Sequence, residues 1–118
     1  MEKVFLAADL GGTNLRMAAV DRAGTIVSRN RMSTPSDGNQ DDIVSAILSV
    51  IDEFKLELAG NYEFAAFGAA MPAIVNSHTG TILRSPNLPQ LNDLDFEALF
   101  TKHLGIPVVL ENDANSAA

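Results

Sequence analysis

Residues 3–21 read KVFLAADLGGTNLRMAAVD. Two apolar runs, 3–9 and 15–21, flank Gly11-Gly12-Thr13-Asn14, and paired glycines between such runs signal a β-hairpin. Ala23-Gly24 turns the chain again, and residues 25–32 read as a third strand, more polar and so nearer an edge. Three consecutive strands joined by tight turns predict an antiparallel meander.

Downstream the pattern changes period. Over residues 41–58 the apolar positions Ile43, Val44, Ile47, Leu48, Val50, Ile51, Phe54 and Leu58 recur at three- and four-residue spacing. That spacing predicts an amphipathic helix, with Asp41 and Asp42 favourable at its positive N-terminus. Gly60-Asn61 ends it, and residues 62–70 are nearly all apolar, as a strand covered on both faces would be. Residues 72–89 are turn-rich, with a small hairpin around Thr79-Gly80. Residues 93–104 predict a second helix closed by Gly105, and 106–110 a last strand. The order β-β-β-α-β-α-β predicts an α/β domain with a mixed five-stranded sheet. Three antiparallel strands lead, and two more arrive through helical crossovers and lie parallel to the first.

Composition narrows the function classes. The 118 residues carry 15 acidic and 8 basic side chains, a net charge of −7, and fit a single domain. Apolar residues make up 47% and charged residues 19%, an ordinary globular balance. An acidic chain without a Lys/Arg cluster argues against nucleic acid or an anionic membrane surface as partner. The absence of cysteine excludes disulfides, thiolate metal sites and thiol catalysis within these residues. The first apolar run is short and is cut by Asp9, unlike a signal peptide, and no run approaches the ~20 residues of a membrane span. A cytoplasmic location is expected. Residues 111–118, rich in alanine, read as the first turns of a helix without a C-cap, so the chain is expected to be the front piece of a longer protein.

Two motifs could carry chemistry. In Asp9-Leu10-Gly11-Gly12-Thr13-Asn14, consecutive glycines allow close approach of a ligand, and successive amides in a tight turn form an anion nest. Asp9 would repel phosphate directly, yet it suits a hydrated Mg²⁺ that bridges to phosphate oxygens. Taken alone, Gly-Gly is equally a plain hairpin turn. In Glu111-Asn112-Asp113, at the carboxyl end of a strand, Asp113 could accept a hydroxyl proton and Asn112 could bond neighbouring hydroxyls. Taken alone, the tripeptide is equally a helix start. Together, the two motifs end strands predicted to be parallel and fall on one edge of the sheet, where ligands bind in open α/β folds. Phosphoryl transfer needs that combination of positioning and charge neutralisation. Arg16, two residues past the turn, reads as a solvated strand face within reach of a phosphate. His78 reads as a loop residue and His103 as a favourable charge at a helix end. Asp93, Asp95 and Glu97 read as helix-start charge, and Phe54, Phe64, Phe67, Phe96 and Phe100 as core.

The motifs at residues 9–14 and 111–118, with Gly68-Ala69-Ala70-Met71-Pro72 and Asn87-Leu88-Pro89 between them, occur in this order in a known family. Over essentially its whole length the chain resembles the N-terminal part of bacterial glucokinases of the repressor/ORF/kinase (ROK) group. The resemblance implies a ribonuclease-H-like, actin-like fold and ATP- and Mg²⁺-dependent phosphorylation of a hexose at its 6-hydroxyl. Glucose is the leading substrate, with N-acetylglucosamine, N-acetylmannosamine or fructose as alternatives. It assigns Asp9, Gly11, Gly12 and Thr13 to the first phosphate motif, Asp113 to the catalytic base, and Asn87, Asn112 and Asp113 to the sugar. It also implies a homo-oligomer as the full-length protein, and a zinc motif only in the C-terminal part, which follows these residues. Residues 1–118 would then be the N-terminal sugar-kinase domain. The chain departs from the family pattern at Pro72-Ala73, where Pro-Gly is usual, so a methyl group is expected to crowd the sugar-lining backbone. Sugar-sensing repressors of the family carry a helix-turn-helix segment ahead of the phosphate motif, and eight residues before Asp9 do not hold one.

Overall fold

The computed structural model describes residues 1–112. Strands β1 (Glu2–Leu10), β2 (Asn14–Asp21) and β3 (Ile26–Ser33) form the expected meander. Helix α1 (Gln40–Leu58) leads to β4 (Tyr62–Met71), a small hairpin of β5 (Ile74–Asn76) and β6 (Thr81–Arg84) follows, and α2 (Phe96–Leu104) leads to β7 (Val108–Asn112). The main sheet has the order β3-β2-β1-β4-β7, with β1, β4 and β7 parallel. The fold is the α/β, ribonuclease-H-like arrangement expected, with the strand directions read from the sequence.

Both helices lie on one face of this sheet, as two crossovers running the same way across a sheet require. Phe67 of β4 meets Phe96 and Phe100 of α2 at ring-centroid distances of 6.2 and 5.8 Å. Phe67 stands in register with Leu6 of β1, so it shares the face of Val4, Leu6, Ala8 and Leu10, all buried with Ile43, Ile47, Ile51 and Phe54 of α1. The polar look of β3 has its reason on this same face. The Ser28 hydroxyl and the Asn30 amide donate to Glu57 and Glu53 of α1, so those positions meet the helix through hydrogen bonds.

The opposite face has no layer on it among the described residues. It presents Ala7, Ala18, Gly68 and Ala70 as a floor, with Phe5 and Val109 exposed by 39% and 51%. A hollow of about 500 Å³ on this face is lined by Ala7, Asp9, Arg16, Ala18, Arg29 and Arg31. Among the described residues no helix is long and apolar enough to cross a membrane.

Several boundaries differ from expectation. Helix α1 is started by a capping box, in which Asn39 Oδ1 accepts from the Asp42 amide and Asp42 Oδ2 from the Asn39 amide, each at 2.9 Å. Helix α2 begins at Phe96, because residues 93–95 are tied to β6: the Asp93 amide donates to Ile82 O at 2.7 Å and the Ile82 amide to Leu94 O at 2.9 Å. Asp93 turns the chain there with φ +68°. Glu111 and Asn112 continue β7 beside Ala70 and Met71 instead of opening a helix. The helix expected over 113–118 lies outside the described residues.

Candidate functional site

The carboxyl ends of the parallel strands share one edge. Register places Asp9, Ala70 and Glu111 in a row across β1, β4 and β7, all on the uncovered face, with Leu10, Met71 and Asn112 beyond. Two strand spacings put the Asp9 and Glu111 backbones roughly 10 Å apart.

At this edge the turn of residues 11–13 joins β1 to β2. The Gly11 amide donates to Asn14 O at 2.9 Å, closing the hairpin. Thr34, buried to 7% exposure, grips the turn from outside: its hydroxyl donates to Gly11 O at 2.7 Å and its amide to Thr13 O at 2.9 Å. The Gly11 and Thr13 carbonyls are thereby occupied, while the Gly12 and Thr13 amides make no hydrogen bond among the described residues. Asp9, Gly11, Gly12 and Thr13 line one hollow of about 270 Å³ together with Asn14 and Arg16. Arg16, expected as a solvated strand face within reach of a phosphate, is exposed and borders this hollow.

Neither glycine of the turn has a positive φ. Their lack of a side chain is a matter of space. A Cβ on Gly11 would lie 3.0 Å from Asn14 O, and one on Gly12 would lie 3.1 Å from Asn87 Cβ. The loop carrying Asn87 therefore packs directly on the turn. That loop is itself fastened. Buried Ser85 accepts the Leu88 amide on its hydroxyl and gives its own amide to Asn92 Oδ1 at 2.8 Å. Gln90 Nε2 reaches the carbonyls of Ser36 and Gly38, each at 2.9 Å, and ties this loop to the one carrying Thr34. Thr34, Ser85 and Gln90 are the residues that sequence reasoning missed. Thr34 and Gln90 find partners 23 and 54 positions away, and those of Ser85 lie three and seven positions on; a Thr-Pro or Ser-Pro pair in a polar loop gives no local sign of either.

Asn112, half-buried, closes β7 opposite Met71, on the same edge as the turn. Asp113 follows it and lies outside the described residues. Ala73, where the family pattern has glycine, is buried with the core at 5% exposure.

Two unoccupied amides on a turn, beside an arginine, suit the oxygens of a phosphate chain. Among the described residues no group of three or more His, Cys, Asp or Glu side chains could hold a metal ion. A divalent cation here would depend on Asp9, with water and phosphate oxygens filling its other positions, which is ordinary for Mg²⁺.

Comparison with known proteins matches the profile described as the ROK family to residues 5–118. A glucokinase of Streptomyces coelicolor is 32% identical over 113 residues, 96% of this chain and 33% of that protein. A β-glucoside kinase of Listeria innocua is 31% identical over 112 residues, 94% of this chain and 35% of that protein. Among solved structures, a ROK family glucokinase from Streptomyces griseus in complex with glucose and AMPPNP superposes with TM-score 0.81 at 28% identity, over 97% of this chain and 34% of that one. A ROK family transcriptional regulator, a homologue of the Escherichia coli MLC protein, superposes with TM-score 0.84 at 25% identity, over 96% of this chain and 28% of that one. The chain spans about a third of the length of the curated relatives it matches.

Proposed function

The chain belongs to the ROK family, and from that premise we propose that residues 1–118 form the N-terminal domain of a hexose kinase that phosphorylates the 6-hydroxyl of glucose. ATP would supply the γ-phosphoryl group, and Mg²⁺ would offset its charge. In this reading the free amides of Gly12 and Thr13, with Arg16 beside them, face the phosphates, and Asp9 holds the hydrated cation. Asn87 and Asn112 bond sugar hydroxyls, and Asp113 takes the proton of the attacking hydroxyl.

The observation that supports this best is the meeting of Gly12 with Asn87. A turn suited to phosphate and a loop assigned to the sugar pack against each other, with a hypothetical Gly12 Cβ only 3.1 Å from Asn87 Cβ. Substrates held by the two would be brought together, and orientation of this kind is worth ~7–11 kcal/mol of barrier.

ADP release by the full-length protein, measured over a panel of glucose, N-acetylglucosamine, N-acetylmannosamine and fructose, tests the reading. Release that is highest with glucose supports it. Highest release with another hexose keeps the kinase and replaces the substrate. A second reading is a sugar-sensing regulator, favoured by the close superposition on a regulator of the family. Glucose binding without ADP release from any sugar would replace the kinase reading with that one.

A further inference from the structure

Glu97 stands where three elements meet. It lies in the first turn of α2, half-buried, and its Oε2 accepts the Leu110 amide of β7 at 2.9 Å. Among the described residues strand β7 is the edge of the sheet, paired only with β4, so an amide directed away from β4 has no strand there to receive it. Glu97 receives it. The same side chain lies against the turn of the β5–β6 hairpin: a Cβ on Gly80 would sit 2.2 Å from Glu97 Cγ and Cδ, and the Glu97 amide donates to Gly80 O at 3.2 Å. Gly80 has φ +70°, which favours glycine on its own account, and its missing side chain leaves the room that Glu97 fills.

We propose that Glu97 is a positioning residue for the sugar end of β7. Leu110 lies two residues before Asn112, so the bond that holds Leu110 sets where Asn112 projects. The hairpin turn on the other side keeps the carboxylate from swinging away. This inference rests on the assignment of Asn112 to the sugar, and goes beyond it by naming what holds that residue in place. A carboxylate is suited to the task because hydrogen bonds to charged groups are stronger than neutral ones. Among the described residues no ion pair competes for it: Leu110 is the only partner its oxygens have.

The test uses the full-length protein with two readouts, amide hydrogen exchange at Leu110 and calorimetric binding of glucose and of an ATP analogue. In Glu97→Ala the Leu110 amide should exchange roughly tenfold faster or more. Glucose affinity should fall several-fold while affinity for the nucleotide analogue stays at the wild-type value. Glu97→Gln keeps an acceptor oxygen at the same reach and should restore most of both. Gly80→Ala, which pushes the carboxylate from the far side, should reproduce the Glu97→Ala pattern without altering Glu97 itself. Unchanged Leu110 exchange in Glu97→Ala overturns the proposal. So does faster exchange with unaltered glucose affinity, since Glu97 would then serve the fold alone, or a parallel loss of glucose and nucleotide affinity. Absence of ADP release by the wild-type protein would sink the kinase reading, while the exchange and binding readouts would still decide this one. Wild-type protein that binds no hexose of that panel would overturn both.

Discussion

The meander contains two hairpin turns that look alike in the sequence and are held in different ways. The turn of residues 22–25 holds itself. Asp21 Oδ1 accepts the Ala23 and Thr25 amides at 3.0 and 2.9 Å, Gly24 takes φ +87°, and a Cβ on Gly24 would meet nothing within 4 Å. The turn of residues 11–13 is held from outside, by Thr34 on its carbonyls and by Asn87 against Gly12, and its glycines need no unusual backbone angle. A turn stabilised by its own residues serves to reverse the chain. A turn gripped by distant segments, with two amides that make no hydrogen bond among the described residues, suits a ligand's oxygens. If that distinction is sound, damage to the turn of residues 11–13 should appear in substrate binding, and damage to the turn of residues 22–25 in stability alone.

The largest effect is expected just beyond the site's described edge. Asp113→Asn in the full-length protein removes the proposed proton acceptor at nearly constant size. General-base catalysis contributes ~10²–10⁴-fold, so kcat should fall by about that much with sugar affinity little changed. If Asp113 only starts a helix, Asn will serve as well and kcat will stay near normal. Steady-state kinetics with a melting curve separates the two.

Thr34→Val comes next. It keeps the shape but leaves Gly11 O without its donor, and an unsatisfied buried group costs ~1–3 kcal/mol. A lower melting temperature together with a raised KM for ATP is expected. A lower melting temperature with unaltered KM would reduce Thr34 to a packing residue and blur the contrast between the turns.

Gly24→Ala should cost about 1–2 kcal/mol, because a Cβ at positive φ is strained even in open space. Asp21→Ala removes two exposed hydrogen bonds and should cost less, about 1 kcal/mol. Neither should move kcat or either KM. A kinetic defect in either variant would break the comparison, by showing that the self-held turn also bears on substrate.

The same contrast explains what could be read in the sequence. Elements set by local pattern were legible: both hairpins, the amphipathic period of α1, the apolar run of β4, and hence the sheet order. The turn of residues 11–13 was legible as a motif, and Asp9, Gly11, Gly12 and Thr13 do line one hollow. The reason for its glycines was not legible, because it is contact with Asn87, 75 positions away. Thr34 and Gln90 were missed for the same reason, since their partners lie 23 and 54 positions away. The start of α2 was misplaced because backbone bonds to β6 draw residues 93–95 out of a helix that their charges would favour. Glu97 was read as helix-start charge, which describes its position in α2 and omits its bond to β7.

The central claim is that the turn at residues 11–13 is a substrate site and the turn at 22–25 is not. The most direct measurement compares kcat/KM for ATP and for glucose in full-length Gly12→Val and Gly24→Ala. Valine at position 12 must press on Asn87 and crowd the free amides, and overpacking of this kind costs ~1–3 kcal/mol, roughly 5- to 150-fold. The account predicts a loss of that order for both substrates in Gly12→Val and wild-type values in Gly24→Ala. Wild-type kinetics in Gly12→Val would contradict it and make the first turn a hairpin like the second.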